Sequence, residues 1–236
     1  MKIKKLLLAL AGAAASIAAS AASPNRVVFI GDSITAQSVW GYGYCTAMKP
    51  LMPDTTLVSL GWSGQTLAGW VDTEQNSRGG TGNYGTVLQE AEAPTYYVGT
   101  ELDKAADYVF IMLGMNDLLK PTTYDTPESI AKWKANLKTF AQNIRAREAG
   151  RNATICLASV TLLMEDFNGP KNLVLDKLAV AAQEVVAELG EGYMYVPIRE
   201  RIKELHLAGR AINPEFHLCL DYVHPVEDGH AVIARE

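Results

Sequence analysis

Five short apolar runs punctuate this chain: residues 26–30, 56–60, 107–113, 153–160 and 193–196. Each is too short for a buried helix and too uniformly apolar for a strand with one wet face, so each reads as a strand covered on both sides. The first three end at Gly31, Gly61 and Gly114, and the fifth is closed by Pro197. Between the later runs lie stretches of helical period. Over residues 127–147, Ile130, Trp133, Leu137, Phe140 and Ile144 recur at steps of three and four and make one apolar face. Thr126 stands where an N-cap belongs and Pro127 at the first helical position. A second helix is predicted over 173–189, stopped at Gly190, and a shorter one over 198–207. Asp228 is the expected cap of a last helix containing Val232 and Ile233. That helix has room for about two turns before Glu236, so a truncated or a naturally short final helix is expected. Strand–helix alternation of this kind implies an α/β fold of three layers, α/β/α, around a doubly wound parallel sheet with right-handed crossovers.

The start of the chain follows a different logic. Lys2, Lys4 and Lys5 precede an apolar run over residues 6–15, and small residues follow at Ala19, Ser20, Ala21 and Ala22. This is the pattern of a secretory signal peptide over residues 1–22, leaving a single domain over 23–236 that is secreted or periplasmic. Losing the three lysines takes the formal charge from −5 to −8. So acidic a chain is a poor partner for nucleic acid and offers no basic patch to a membrane. No later segment is long and apolar enough to act as a membrane anchor. Of the three cysteines, Cys156 lies in a strand run and reads as core, whereas a Cys45–Cys219 bridge stays open. Oligomeric state is not legible.

Ligands of open α/β sheets sit beyond the carboxyl ends of the strands. Three chemistry-bearing segments fall there. Ser33 follows the first strand in Gly31-Asp32-Ser33-Ile34, Gly64 follows the second, and Asn116 follows the third in Gly114-Met115-Asn116-Asp117. A fourth segment, Asp221-Tyr222-Val223-His224, precedes the last helix. Together they contain the parts of a serine esterase. A serine hydroxyl needs an adjacent base, which His224 can be, and Asp221, three residues earlier, can hold that ring in one tautomer. The oxyanion formed on attack needs donors already in place. The backbone N–H groups of Ser33 and Gly64 and the side-chain amide of Asn116 are the candidates. Asp117 and Asp32 are read as braces for their own loops, and His230 as the next candidate base after His224. The histidines lack the tight spacing of zinc ligands, so no metal is expected.

These four segments resemble the SGNH, or GDSL-type, hydrolase family. The four residues that name the family correspond here to Ser33, Gly64, Asn116 and His224, and the resemblance runs from Val27 to the C-terminus. It implies esterase activity through a serine acyl-enzyme on a flavodoxin-like sheet, without a cofactor.

For the substrate, aromatic residues crowd the same segments. Trp40, Tyr42 and Tyr44 follow the nucleophile, Trp62 and Trp70 flank Gly64, and Tyr84, Tyr96 and Tyr97 lie in a long polar stretch over 72–100 that reads as a binding loop or a surface loop. Rings stack on the apolar faces of sugars, so Trp40, Tyr42 and Trp62 are the candidate substrate-binding residues. The expected partner is a small-molecule or oligosaccharide ester, with acetyl the favoured acyl group. A lysophospholipase or thioesterase and a noncatalytic carbohydrate-binding module are the alternatives.

Overall fold

The computed structural model describes residues 24–40, 42–72, 84–87, 96–97, 101–119, 125–163, 166–219, 221 and 223–236. The leader expected over 1–22 and most of the stretch over 72–100 lie outside the described residues. Seven strands form one sheet: β1 (Arg26–Gly31), β2 (Thr56–Gly61), β3 (Tyr84–Val87), β4 (Tyr96–Tyr97), β5 (Tyr108–Met112), β6 (Thr154–Ala158) and β7 (Tyr193–Val196), in the order β4-β3-β2-β1-β5-β6-β7. The five strands from β2 to β7 in that order are parallel, in register from Val28 opposite Val58 and Val109 outward to Cys156 opposite Met194. They correspond to the five predicted runs. The remaining two add antiparallel to the β2 edge. Among the parallel strands the chain order is 2-1-3-4-5, the flavodoxin-like arrangement, with its switch point beside β1.

β1 and β2 are buried from their second residue to their last, as the uniform apolar runs require. Nine α-helices are described: α1 (Ser33–Ala36), α2 (Tyr44–Met48), α3 (Leu67–Asp72), α4 (Met115–Leu119), α5 (Pro127–Ala146), α6 (Glu148–Arg151), α7 (Pro170–Leu189), α8 (Ile198–Ile212) and α9 (Glu227–Ile233). On one side of the sheet α3 packs on α5 and α5 on α7; on the other α2 packs on α9 and α9 on α8. Trp133, Leu137, Phe140 and Ile144 are the buried stripe of α5, and Phe140 meets Trp70 of α3 with ring centroids 5.6 Å apart. Thr126 caps α5 by accepting the Ser129 N–H at 3.2 Å. At α9 the expectation fails. Val226, in extended conformation, holds the cap position, and Asp228 lies inside the first turn with no capping bond, because the helix begins at Glu227.

The segment bearing Ser33 lies unusually close to the sheet. A Cβ on Gly61 would stand 2.1 Å from the Ala36 backbone nitrogen, so only glycine lets α1 rest on the end of β2. Ser59 then donates its hydroxyl to the Thr35 carbonyl at 3.1 Å, and the hydroxyls of Thr35 and Tyr44 bond at 2.8 Å. All three cysteines are free and buried, which excludes the Cys45–Cys219 bridge. Among the described residues no helix is long and apolar enough to cross a membrane. An apolar groove of about 290 Å³ opens on the α2–α9 side between Phe29, Phe110 and Met194, but Ser33, Asn116 and His224 do not line it.

Candidate active site

Ser33 is the first residue of α1, at the carboxyl end of β1. Asp32 caps the turn: its Oδ1 accepts the Ile34 N–H at 3.0 Å. This presents the Ser33 hydroxyl at the rim of the sheet, half-buried, with its own N–H at the start of a helix.

His224 reaches it from a hairpin loop. The Leu218 carbonyl accepts the Val226 N–H at 2.8 Å, and a bridge joins Cys219 to Pro225, closing the loop. Inside it, Asp221 Oδ1 accepts the N–H of Val223 at 3.3 Å and that of His224 at 2.9 Å. The His224 ring Nδ1 lies 2.9 Å and 2.8 Å from the two carboxylate oxygens of Asp221. Its Nε2 lies 2.8 Å from Ser33 Oγ, across 191 positions of sequence. One carboxylate therefore orients both the backbone and the ring of the histidine. Nδ1 carries the proton toward Asp221, and Nε2 is left to accept from the serine hydroxyl.

The loop is anchored from below. The Cys219 thiol donates to the Leu162 carbonyl at 3.7 Å. The loop holding Leu162 is itself stapled by Arg199, only 1% exposed, which donates to the carbonyls of Thr161 (3.1 Å) and Asn172 (2.8 Å) and to Asp176 (2.7 Å).

Gly64 and Asn116 approach from β2 and β5. Gly64 occupies the turn after β2 at φ +75°, a conformation that side chains disfavour. The Asn116 amide donates to the Gln65 carbonyl at 3.0 Å, and buried Asp117 accepts the Leu67 N–H at 3.1 Å. Two adjacent residues thus hook the β5 turn onto the β2 turn and fix the two candidate oxyanion donors relative to each other. Through the Leu67 N–H, Asp117 braces the neighbouring β2 turn. The second N–H of the Asn116 amide remains for a ligand.

The electrostatics separate the carboxylates. Burial pushes Asp221 up, but the backbone and ring N–H groups of His224 outweigh it and hold the carboxyl below its usual range. Asp32 goes the other way: complete burial raises it from 3.8 to about 7, partly offset by the Ile34 N–H, with the charge of Asp117 adding to the rise. Asp221 is thus the ionised partner of the histidine, whereas Asp32 holds its proton to far higher pH than an exposed carboxyl.

Of the candidate substrate-binding residues, Tyr42 is 51% exposed and Trp62 half-buried, with the Trp62 N–H bonded to the Gly31 carbonyl at 3.1 Å. The side chain of Trp40, like those of Tyr84, Tyr96 and Tyr97, lies outside the described residues. Tyr44 and Trp70 are core side chains, 1% and 0% exposed, and cannot meet a sugar. His206 is buried and His217 exposed. His230 is no base for Ser33: its Nε2 donates to Gln37 Oε1 at 2.7 Å in the interior. Sequence reasoning missed this pair because its members lie 193 positions apart. Among the described residues no cluster of three His, Cys, Asp or Glu side chains could hold a metal.

A Ser–His–Asp row at the carboxyl ends of a flavodoxin-like sheet is the arrangement of an acyl-transferring hydrolase. Residues 29–232 match the GDSL-like lipase/acylhydrolase family, and the chain belongs to that family; it is a carboxylic ester hydrolase. No curated protein sequence matches it. Among solved structures it is similar to Axe2, an acetylxylan esterase from Geobacillus stearothermophilus, at 18% identity and a TM-score of 0.61 over 89% of this chain and 91% of that one. It is similar also to a member of the lipolytic G-D-S-L family from Veillonella parvula, at 16% identity and a TM-score of 0.60 over 89% and 94%. At these identities the likeness is one of fold.

Proposed function

We propose that this chain is a serine esterase that removes small acyl groups, acetyl foremost, from carbohydrates through an acyl-enzyme. The observation that carries the reading is the continuous row from Ser33 Oγ to His224 Nε2 (2.8 Å) and from His224 Nδ1 to Asp221 (2.8 Å). In this mechanism the Ser33 oxygen attacks the ester carbonyl while its proton passes to Nε2. The imidazolium so formed is stabilised by ionised Asp221. The tetrahedral oxyanion is received by the backbone N–H groups of Ser33 and Gly64 and by the free N–H of the Asn116 amide. Collapse expels the alcohol, which takes the proton from Nε2. Water then enters, gives a proton to the same nitrogen and releases the acid, restoring the serine.

The carbohydrate preference has two supports. Trp62, half-buried, ties its backbone N–H to the Gly31 carbonyl at the end of β1, and Tyr42, which follows the Ser33 segment in sequence, is 51% exposed. The similar fold of Axe2 belongs to an acetylxylan esterase, in which changes of a serine, an aspartate or a histidine are described as catalytic mutants. Export by the leader over residues 1–22, leaving one domain over 23–236, is part of the same proposal; amino-terminal sequencing of protein recovered outside the cytoplasm tests it.

Hydrolysis of p-nitrophenyl acetate and octanoate beside acetylated xylo-oligosaccharides tests the substrate. Acetate turnover well above octanoate, with acetate released from the oligosaccharides, is the expected result. Preference for octanoate would move the assignment to a lipolytic esterase. Glycan binding without any turnover would leave a binding module.

A further inference from the structure

Ser33 and His224 come from opposite ends of the chain, and a single hydrogen bond between them would be a poor guarantee of their distance. A second, buried link runs parallel to it. Gln37 caps the C-terminal end of α1, and its backbone N–H donates to the carbonyl of Ser33 itself. The Gln37 side-chain oxygen accepts from His230 Nε2 at 2.7 Å. His230 in turn donates its backbone N–H to the Val226 carbonyl at 2.9 Å, and Val226 closes the hairpin loop that carries His224. Thus two side chains, 5% and 3% exposed, join the serine's own peptide to the base of the histidine's loop.

The surroundings suit a fixed, uncharged donor. The ring of Tyr44 stacks on His230 at 6.5 Å and 28°, and the Tyr44 hydroxyl bonds Thr35, two residues beyond the serine. Burial, with the charge of nearby His224, pushes His230 down from 6.5 to about 4, so it stays neutral at working pH. The bond to Gln37 places its proton on Nε2. Its Nδ1 is buried with no partner among the described residues. A buried polar ring with one orphan nitrogen costs stability that a phenylalanine in the same space would not. We infer that His230 is a positioning residue, whose bond to Gln37 sets the distance between the Ser33 hydroxyl and the His224 imidazole.

The inference rests on Ser33 being the nucleophile. A misplacement of about 1 Å at such a contact costs on the order of a hundredfold in rate. The test measures inactivation by a small fluorophosphonate, with the labelled peptide mapped by mass spectrometry, beside kcat and KM for p-nitrophenyl acetate. His230→Phe keeps the ring and the stacking but loses the donor. Gln37→Leu breaks the same bond from the other side and serves if the first variant does not fold. His230→Gln can still donate an amide N–H to Gln37. The expected result is a loss of about tenfold to a hundredfold in kcat and inactivation rate for His230→Phe and Gln37→Leu. KM should stay within about twofold, and His230→Gln should recover part of the rate. Wild-type rates in folded His230→Phe or Gln37→Leu, with Ser33 labelled in the wild type, would overturn the inference alone. A wild type whose label falls elsewhere than Ser33 would remove the nucleophile reading and this inference with it.

Discussion

Replacing Asp32 by asparagine should change how stability depends on pH, and the size of the effect follows from the burial of one carboxyl. Asp32 is 1% exposed, and its Oδ2 has no partner among the described residues. Its pKa is raised by burial from 3.8 to about 7. Between those values the folded protein holds the proton more tightly than the unfolded chain. The stabilisation from this group is therefore complete below pH 3.8 and is lost as pH rises through about 7. The interval corresponds to about 4 kcal/mol. His230 has the opposite sign. Lowered from 6.5 to about 4, it contributes fully above 6.5 and loses its contribution as pH falls through about 4, a span of about 3 kcal/mol. In the wild type the two slopes largely offset each other across this window. An asparagine at this position caps a helix as well as aspartate does and does not titrate. The assay is urea denaturation of wild type and Asp32→Asn at several pH values. The difference in unfolding free energy should move in favour of the variant by about 4 kcal/mol between about pH 4 and about pH 8. The variant alone should gain stability from pH 4 to 6.5 as the His230 slope is uncovered. A difference that stays constant within about 1 kcal/mol over that range would refute the reasoning.

Asp221→Asn keeps the shape of the orienting group but favours the wrong imidazole tautomer, so kcat should fall on the order of a thousandfold or more with folding intact; steady-state kinetics beside circular dichroism check this. Asn116→Ala removes one proposed oxyanion donor and the hook on the Gln65 carbonyl, and should lower kcat on the order of a hundredfold or more. An effect confined to KM would make Asn116 a binding residue instead. Gly61→Ala drives a methyl to 2.1 Å from the Ala36 backbone nitrogen, so α1 must shift. A loss of about 3 kcal/mol is expected from urea denaturation, the upper part of the range for overpacking, together with reduced turnover.

The parallel core was legible because strands buried on both faces leave continuous apolar runs, and each observed strand lies within about two residues of its run. The long helix over Pro127–Ala146 was equally plain, with a cap, a proline and one stripe. Other elements left weaker marks. The helices Leu67–Asp72, Tyr44–Met48 and Met115–Leu119 have six, five and five residues, too few to display a helical period. The helix Ile198–Ile212 outruns its predicted end at Leu207 because its last turns carry exposed apolar residues, Leu207 and Ile212 at 54% and 57%. Strands Tyr84–Val87 and Tyr96–Tyr97 fall in polar sequence and pair only at the sheet edge. For the candidate site, Ser33, Gly64, Asn116, Asp221 and His224 could be nominated because each sits at a strand end or in the last loop. What joins those segments could not. The Asp117 bond to Leu67, the Arg199 staple and the Gln37–His230 link are contacts between distant parts of the chain that no local pattern encodes. Tyr44 and Trp70 show the converse: an aromatic near a motif carries no mark of whether it faces the cleft or the core.

The account stands on the Ser33 hydroxyl as the group that is acylated. Wild-type protein and Ser33→Ala, mixed with p-nitrophenyl acetate, quenched in acid within the first turnovers and digested for mass spectrometry, give the most direct test. One acetyl group on the peptide containing Ser33 in the wild type, and none in a folded, inactive Ser33→Ala, is the predicted result. Acetyl on any other residue, or undiminished hydrolysis by Ser33→Ala, would contradict it.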